Sequence, residues 1–114
     1  DIGLKLFIIS SETNRVVSQR AKKLNIKCIQ GILEKGRAVI ELCEHSGVKL
    51  ANVMFVGNDL NDIPALSIVG VPVGVADAYE EIYPYIIFRT RKEGGKGAVR
   101  EICDLVYDAK TKKN

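Results

Sequence analysis

One stretch of this chain predicts both a β-strand and a polar loop: Val53-Met54-Phe55-Val56-Gly57-Asn58-Asp59-Leu60-Asn61-Asp62. A short apolar run that ends at a glycine is typical of a buried strand in a parallel sheet. Ligands of such sheets bind just beyond the carboxyl ends of the strands. The side-chain oxygens of Asn58, Asp59 and Asp62 are hard ligands that suit Mg²⁺. We therefore expect the chemistry of this protein in the loop after Gly57.

Strands and helices alternate along the rest of the chain. Apolar runs predict strands at 4–9, 27–30, 53–56, 71–75 and 86–88, and apolar spacing predicts helices at 14–24, 36–46, 61–68 and 99–108, with one helical turn at 78–83. Gly47 is expected to end the second helix. In the last helix the predicted inward side chains are Val99, Ile102, Cys103 and Val106. This order predicts an α/β fold with a mainly parallel sheet and right-handed crossovers.

The composition of the chain limits which classes of function are expected. The 114 residues suit one small domain, which we place at 1–109, followed by a disordered basic tail at 110–114. The net charge of +3 comes without a basic stripe of interleaved aromatics, so nucleic-acid binding is not expected. No apolar run approaches the roughly 18 residues of a membrane span. The three cysteines are far apart, which favours buried thiols in a reducing cytoplasm over a disulfide framework or zinc site.

Polar side chains follow four of the predicted strands. Ser10 follows the first strand, Lys35 comes after the second, and the Asn58–Asp62 loop follows the third. Thr90 and Arg91 follow the last strand and lead into a glycine-rich loop at 94–97. Hydroxyl, lysine, carboxylate and backbone N–H groups at one edge of a sheet suit a phosphate group together with Mg²⁺.

The pattern resembles a known enzyme family. Five segments in order, 8–12, 30–35, 56–62, 69–78 and 90–101, are similar to the haloacid dehalogenase-type phosphatases, and specifically to the small members without a cap domain. The resemblance is strongest to phosphatases of 3-deoxy-octulosonate 8-phosphate (KDO 8-phosphate) and N-acylneuraminate 9-phosphate, and to the C-terminal domain of some acylneuraminate cytidylyltransferases. It implies a three-layer, Rossmann-like parallel sheet.

The resemblance also implies roles for individual residues. Mg²⁺ would be bound at Asn58, and Lys35 would balance charge on the phosphate and the nucleophile. Asp59 and Asp62 would support the metal shell and so belong to the catalytic set. The residues implied in phosphate or substrate binding are Ser10, Ser11, Arg91, Gly94 and Gly95.

Two departures from the family pattern shape our expectations. The family nucleophile is the first aspartate of an Asp-x-Asp motif on a central strand, and Asp1 does not match it because Gly3 stands two positions later. We therefore expect that strand and its aspartate upstream, and expect this fragment alone to be inactive and poorly stable. Asn58 replaces the usual metal-binding aspartate, so we expect weaker Mg²⁺ binding.

Two main functions remain open from the sequence, and a third possibility is a cytidylyltransferase fusion in which this domain keeps phosphatase activity. The first is a Mg²⁺-dependent phosphomonoesterase that acts on an eight- or nine-carbon sugar-acid phosphate through an aspartyl-phosphate. The second is a C-terminal module of an acylneuraminate cytidylyltransferase, with a role in holding subunits together. The resemblance implies a homotetramer in either case.

Each candidate residue also has a purely structural interpretation. Ser10 and Ser11 could be a helix N-cap, and Lys35 could be a solvated surface lysine. Asp59 and Asp62 could be acids that favour a helix N-terminus. Glu101 is interpreted as a surface or interface residue.

Overall fold

Strands and helices alternate in the computed structural model, which describes residues 7–9, 27–29, 34–94 and 97–111. The strands are β1 (Phe7–Ile9), β2 (Lys27–Ile29), β3 (Met54–Gly57), β4 (Val71–Gly74) and β5 (Phe88–Arg89). The α-helices are α1 (Lys35–Ser46), α2 (Ile63–Leu66) and α3 (Ala98–Thr111). Three 3₁₀ helices span Leu50–Asn52, Leu60–Asp62 and Glu80–Tyr85. The predicted helix at 14–24 lies outside the described residues.

All strand pairs in the described residues are parallel, which confirms the predicted α/β class. β1 pairs with β2, and a separate three-stranded sheet has the order β3-β4-β5. Gly57 at the end of β3 is level with Gly74 at the end of β4, which is in turn level with Arg89 at the end of β5. The loops after these three strands therefore emerge side by side at one edge of the sheet.

The third strand is less buried than its apolar sequence predicts. Met54 is 39% exposed, and Phe55 and Val56 are only partly buried. The reason is that β3 has a ladder partner on its β4 side only, within the described residues.

Helix α1 connects the β2 region to the loop that precedes β3. It ends at Gly47 as predicted, since this glycine has φ 71° in the left-handed region and its N–H donates to the carbonyl of Cys43. On the other end, Gly36 packs so closely on Pro64 that an added Cβ would lie 3.1 Å from the proline Cβ. The first turn of α1 is thereby fixed beside the start of α2.

Two hydrophobic clusters hold the helices against the sheet. One contains Val39 of α1 with Ala65 and Val69, and the other surrounds the buried Leu66 and Ile82. Phe55 of β3 packs against both clusters. The predicted helix at 61–68 is instead a 3₁₀ turn followed by one short α-helix, because Asp59 and Asp62 cap a separate turn before Pro64.

Helix α3 is longer than predicted, and one of its predicted inward residues is exposed to solvent. It extends to Thr111, into the segment predicted as a tail. Ile102 is buried as expected, whereas Cys103 is exposed, so its predicted inward position is wrong. Ala98 and Ile102, one turn apart, form the buried stripe, and Cys103 lies beside this stripe on the solvent side. No helix in the described parts of the chain is long and apolar enough to cross a membrane.

The last strand starts two residues later than predicted, at Phe88 instead of Ile86. The reason is that the Glu80–Tyr85 3₁₀ helix is closed by the Ile86 N–H, which donates to the Tyr83 carbonyl. Ile87 is 70% exposed on this edge, and the Arg89 guanidinium lies 4.8 Å from the centroid of the Tyr83 ring.

Gly70 allows the closest backbone approach in the described fold. A Cβ at this position would lie 1.9 Å from the Ala51 carbonyl oxygen, which is backbone and cannot rotate away. We expect Gly70→Ala to lower the free energy of unfolding of the intact protein by about 1–3 kcal/mol or more. Urea unfolding measures this loss. Lys49→Ala, an exposed change nearby, should stay within about 0.5 kcal/mol, and equal stability of the two variants would contradict the packing argument.

Candidate active site

The loop after β3 is organised by the carboxylate of Asp62. One oxygen, Oδ2, accepts hydrogen bonds from the N–H groups of Asn58 at 2.8 Å and Asp59 at 3.1 Å. The Asp59 side chain in turn accepts from the Leu60 N–H at 2.6 Å. Asp59 and Asp62 also form a reciprocal capping box around the 3₁₀ turn. The loop therefore has one well-defined backbone path between the strand and α2.

Gly57 makes this arrangement possible. A Cβ on Gly57 would lie 2.8 Å from the Cβ of Asp62, closer than side-chain carbons approach each other. The missing side chain lets the Asp62 carboxylate lie directly against the end of β3. The glycine that marks the strand end in the sequence is thus required by the site as well as by the turn.

The second oxygen of Asp62 binds Lys35. Its Oδ1 lies 2.7 Å from the lysine Nζ, and the two side chains are only 3% and 10% exposed. Lys35 also donates to Asn61 Oδ1 at 3.4 Å. A buried lysine requires such a partner, because an unpaired ammonium in the protein interior is strongly unfavourable. The interpretation of Lys35 as a solvated lysine is therefore wrong.

The site residues at the end of β3 form two groups: the buried pair of Lys35 and Asp62, and the exposed Asn58 and Asp59. Asp62 has both carboxylate oxygens occupied, and it positions Lys35 and the loop backbone. Asn58 and Asp59 are exposed at the end of β3, with side-chain oxygens of the kind that bind Mg²⁺. They fit a divalent cation but supply only part of its usual six ligands. Within the described ranges, no group of three His, Cys, Asp or Glu residues is placed to hold a metal.

Hydrogen bonds join the loop after β3 to the loops after β4 and β5. The Asn58 carbonyl accepts from the Tyr79 N–H at 3.1 Å, which connects the first two loops. Asp77 Oδ1 then accepts from the Gly94 N–H at 2.9 Å, and the Ala76 N–H donates to the Lys92 carbonyl at 3.3 Å. The metal-binding candidates and the basic residues after β5 thus belong to one continuous rim.

The turn after β5 carries Arg91 and Lys92 and is held by side chains. The buried Thr90 hydroxyl donates to the Lys92 carbonyl at 2.6 Å and accepts from the Ala76 N–H at 3.1 Å. Glu101 of α3 accepts from the Arg91 N–H at 3.0 Å and from the Lys92 N–H at 2.9 Å.

These N–H donors, with a smaller contribution from the charges of Arg91 and Lys92, hold the pKa of Glu101 below its ordinary value of 4.5. The folded-state pKa is depressed, so the contribution of this contact is present above the unfolded pKa. It is lost as pH falls through the folded pKa.

The structure brings together some of the predicted site residues and leaves others undescribed. Lys35, Asn58, Asp59 and Asp62 meet at the end of β3, and Arg91 and Gly94 lie on the same rim. Ser10, Ser11 and Gly95 lie outside the described residues. Sequence reasoning missed Asp77 and Glu101 as ligands of the turn. Glu101 is an acid in the first turn of a helix, where acids are common because they interact favourably with the helix dipole. Its sequence position therefore does not indicate the additional contact with the preceding turn.

A sequence model of the haloacid dehalogenase-like hydrolases matches residues 6–102. The chain belongs to this family. Its resemblance to the family, inferred from five short segments, is confirmed.

Relatives of known activity have a common substrate. The 3-deoxy-D-manno-octulosonate 8-phosphate phosphatase of Escherichia coli K12 is 38% identical over 110 residues, which are 96% of this chain and 58% of that protein. The same phosphatase from Yersinia pestis has a solved structure with a TM-score of 0.88 and 36% identity, over 93% of this chain and 58% of that chain. The chain thus spans less than two thirds of the length of these relatives.

A third relative was solved with ligands. The 3-deoxy-D-manno-octulosonate 8-phosphate phosphatase of Moraxella catarrhalis, in complex with a magnesium ion, a phosphate ion and KDO, has a TM-score of 0.89 and 35% identity. The match covers 94% of this chain and 62% of that chain. The fold described here is therefore similar to that of the Moraxella catarrhalis phosphatase, which was solved with those three ligands.

Replacing Asp62 should destabilise the protein because the buried Lys35 ammonium then loses its negatively charged partner. Asp62→Asn leaves Lys35 without its counter-ion, and we expect the intact protein to lose about 3–5 kcal/mol in the free energy of unfolding. Asp59→Asn is the matched control, since this exposed residue keeps a capping oxygen and should cost less than about 1 kcal/mol. Denaturant unfolding of both variants measures the difference. An equal, small loss would show that the pair does not hold the loop.

Proposed function

We propose that the protein containing this chain is a Mg²⁺-dependent phosphomonoesterase of an eight- or nine-carbon sugar-acid phosphate. KDO 8-phosphate is the first candidate substrate, because it is named for the relatives with 36–38% identity, and N-acylneuraminate 9-phosphate is the second. The observation that carries the proposal is the buried Lys35–Asp62 pair, set at the end of β3 beside the exposed oxygens of Asn58 and Asp59.

Lys35 supplies positive charge where a phosphoryl group would lie. Its ammonium has three donors, and the contact with Asp62 Oδ1 uses one of them at full strength. The longer contact with Asn61 uses a second donor, so one donor of the ammonium is left for a phosphoryl oxygen or for a carboxylate nucleophile. Since Asp62 orients the lysine and is itself bonded to the loop N–H groups, the charge is fixed before substrate binds.

Asn58 and Asp59 are the residues of this chain that would hold Mg²⁺. The ion, when bound, neutralises charge that develops on the phosphoryl oxygens during transfer. Asn58 binds through an amide oxygen and contributes no charge, while Asp59 offers the carboxylate oxygen that does not accept the Leu60 N–H. The other ligands and the aspartate nucleophile are proposed to come from parts of the protein outside this chain.

The proposed reaction proceeds through a covalent intermediate. The carboxylate of the outside aspartate attacks phosphorus, the ester P–O bond breaks, and the sugar acid leaves as an alcohol after taking up a proton. Water then hydrolyses the acyl phosphate and releases inorganic phosphate. In both steps the contribution of this chain is positional and electrostatic, through Lys35 and the rim loops.

The second candidate is an assembly module of an acylneuraminate cytidylyltransferase. The observation that favours it is Asn58, because an amide in place of a carboxylate removes one negative charge from the proposed Mg²⁺ position.

We propose a homotetramer in the cytoplasm for either function. The exposed side chains near the β5 edge, Tyr85, Ile87 and Phe88, are a suitable surface for a subunit contact. Phosphate release by the intact protein separates the two functions.

Removing the lysine charge should abolish phosphate release. We expect Lys35→Met in the intact protein to lower kcat for KDO 8-phosphate on the order of 10²–10³-fold, as for other preorganised charge-stabilising groups. Inorganic phosphate released in the presence of Mg²⁺ is the measurement. Lys49→Met, which removes an exposed lysine, should retain full activity. Thermal unfolding confirms that each variant is folded, and a folded Lys35→Met with more than a tenth of wild-type kcat would refute the assigned role.

Restoring a carboxylate at position 58 should strengthen the metal site. We expect Asn58→Asp to lower the Mg²⁺ dissociation constant roughly tenfold, or about 1.4 kcal/mol, because the ligand gains a full negative charge. Calorimetric titration with Mg²⁺ measures this directly. Asn52→Asp adds the same charge at the amino end of β3 and is the control. Equal Mg²⁺ affinity in both variants would place the cation elsewhere.

A further inference from the structure

We infer that Glu101 is a positioning residue that holds the turn at Arg91–Gly94, so that the cations Arg91 and Lys92 are presented to the carboxylate group of the substrate. The inference rests on the proposed function and deepens it, because it assigns the recognition of the acid end of a sugar acid. Among the described residues, the Glu101 carboxylate accepts hydrogen bonds from two backbone N–H groups of the turn, those of Arg91 and Lys92.

The contact between Glu101 and the turn is unusually complete. Both carboxylate oxygens lie 3.0 Å from the Arg91 nitrogen, and Oε1 also accepts from the Lys92 N–H at 2.9 Å. Two successive backbone N–H groups that converge on one carboxylate fix the direction of the chain between them. Charged acceptors make stronger hydrogen bonds of this kind than neutral ones.

The helix that carries Glu101 is itself firmly anchored. Ala98 is fully buried and Ile102, the next residue after Glu101, is 7% exposed. Glu101 therefore extends from the first turn of a packed helix and not from a loose segment. The turn is fixed from its other side by Thr90 and Asp77, which belong to the sheet edge. Glu101 thus joins the helical layer to the sheet through the turn.

Fixing the backbone leaves the two cationic side chains for a ligand. Arg91 and Lys92 are exposed, and Glu101 takes up their N–H groups, not their side-chain donors. The planar guanidinium of arginine matches a carboxylate with two parallel hydrogen bonds. A turn held by three side chains does not have to be ordered when the ligand binds, which saves affinity that a mobile loop would lose.

The position of the turn suits a substrate with two separated anions. The turn follows β5 and the Lys35–Asn58 region follows β3, two strands away, or on the order of 10 Å along the rim at the usual strand spacing. A sugar-acid phosphate carries its phosphate and its carboxylate at opposite ends of the carbon chain. The phosphate end belongs at Lys35, and the acid end then reaches toward Arg91.

The test compares esters with and without the carboxylate in the intact protein. We expect Glu101→Ala to raise the KM for KDO 8-phosphate about tenfold, with kcat within about twofold. For p-nitrophenyl phosphate, which lacks the carboxylate, both KM and kcat of Glu101→Ala should stay within about twofold of the wild-type values. Arg91→Ala should give the same rise, and the double variant should add little, because both changes remove one shared interaction. Glu101→Gln, which keeps one acceptor oxygen, should be intermediate.

Asp104→Asn is the matched control, because it removes an exposed carboxylate from the same helix one turn later. It should leave every constant unchanged. A merely structural role for Glu101 would lower kcat on both esters and the melting temperature together. That pattern, or an unchanged KM for KDO 8-phosphate in Glu101→Ala, would overturn the inference.

A binding measurement separates this inference from the proposed function. Free KDO and free N-acetylneuraminate are titrated calorimetrically into wild type, Glu101→Ala and Asp104→Asn. If wild type hydrolyses neither sugar-acid phosphate yet binds a free sugar acid, with affinity lost only in Glu101→Ala, the proposed function fails and the inference stands. If wild type binds neither acid, or binds one equally in all three proteins, the inference is overturned whatever the activity.

Discussion

The buried contact between Asp62 and Lys35 is the interaction on which the rest of the site depends. One carboxylate orients the lysine, closes the loop after β3 and lies against a glycine that leaves room for it. Each of these functions requires the others, because a buried acid without its lysine or its N–H donors would be strongly unfavourable. The position of Asn58, the proposed Mg²⁺ ligand, follows from the Asp62 side chain, because Asp62 fixes the backbone that carries Asn58.

The rim of the sheet extends this fixed geometry across three strands. Backbone groups connect the loops after β3 and β4, and side chains of Thr90 and Asp77 connect the loops after β4 and β5. Glu101 then joins the turn after β5 to helix α3. A phosphatase that depends on positioning and charge gains from such rigidity, since little reorganisation remains for the reaction step. The strand order separates the Lys35–Asp62 region after β3 from the basic turn after β5.

The sequence predicts the parallel α/β fold, the strand that ends at Gly57 and the αL stop at Gly47, because each depends on a local pattern. It misses features that depend on neighbours. The exposure of Met54 follows from strand order, and the outward position of Cys103 follows from which stripe of α3 meets the core. The partners of Asp62 and Glu101 lie 9 to 27 residues away along the chain or are backbone groups, so residue type alone does not reveal them.

The double duty of the Lys35–Asp62 pair has a consequence for evolution. If the proposed activity were lost in a descendant, the buried pair would still stabilise the fold. Selection for stability would then retain both residues after the reaction had disappeared. Their presence in a paralogue is therefore poor evidence of an active enzyme. Among the described residues, the hydrogen bonds of Asn58 use its backbone N–H and carbonyl, so the fold described here places no such constraint on its side chain. Drift at that position is where a change of function would first become visible in a family tree.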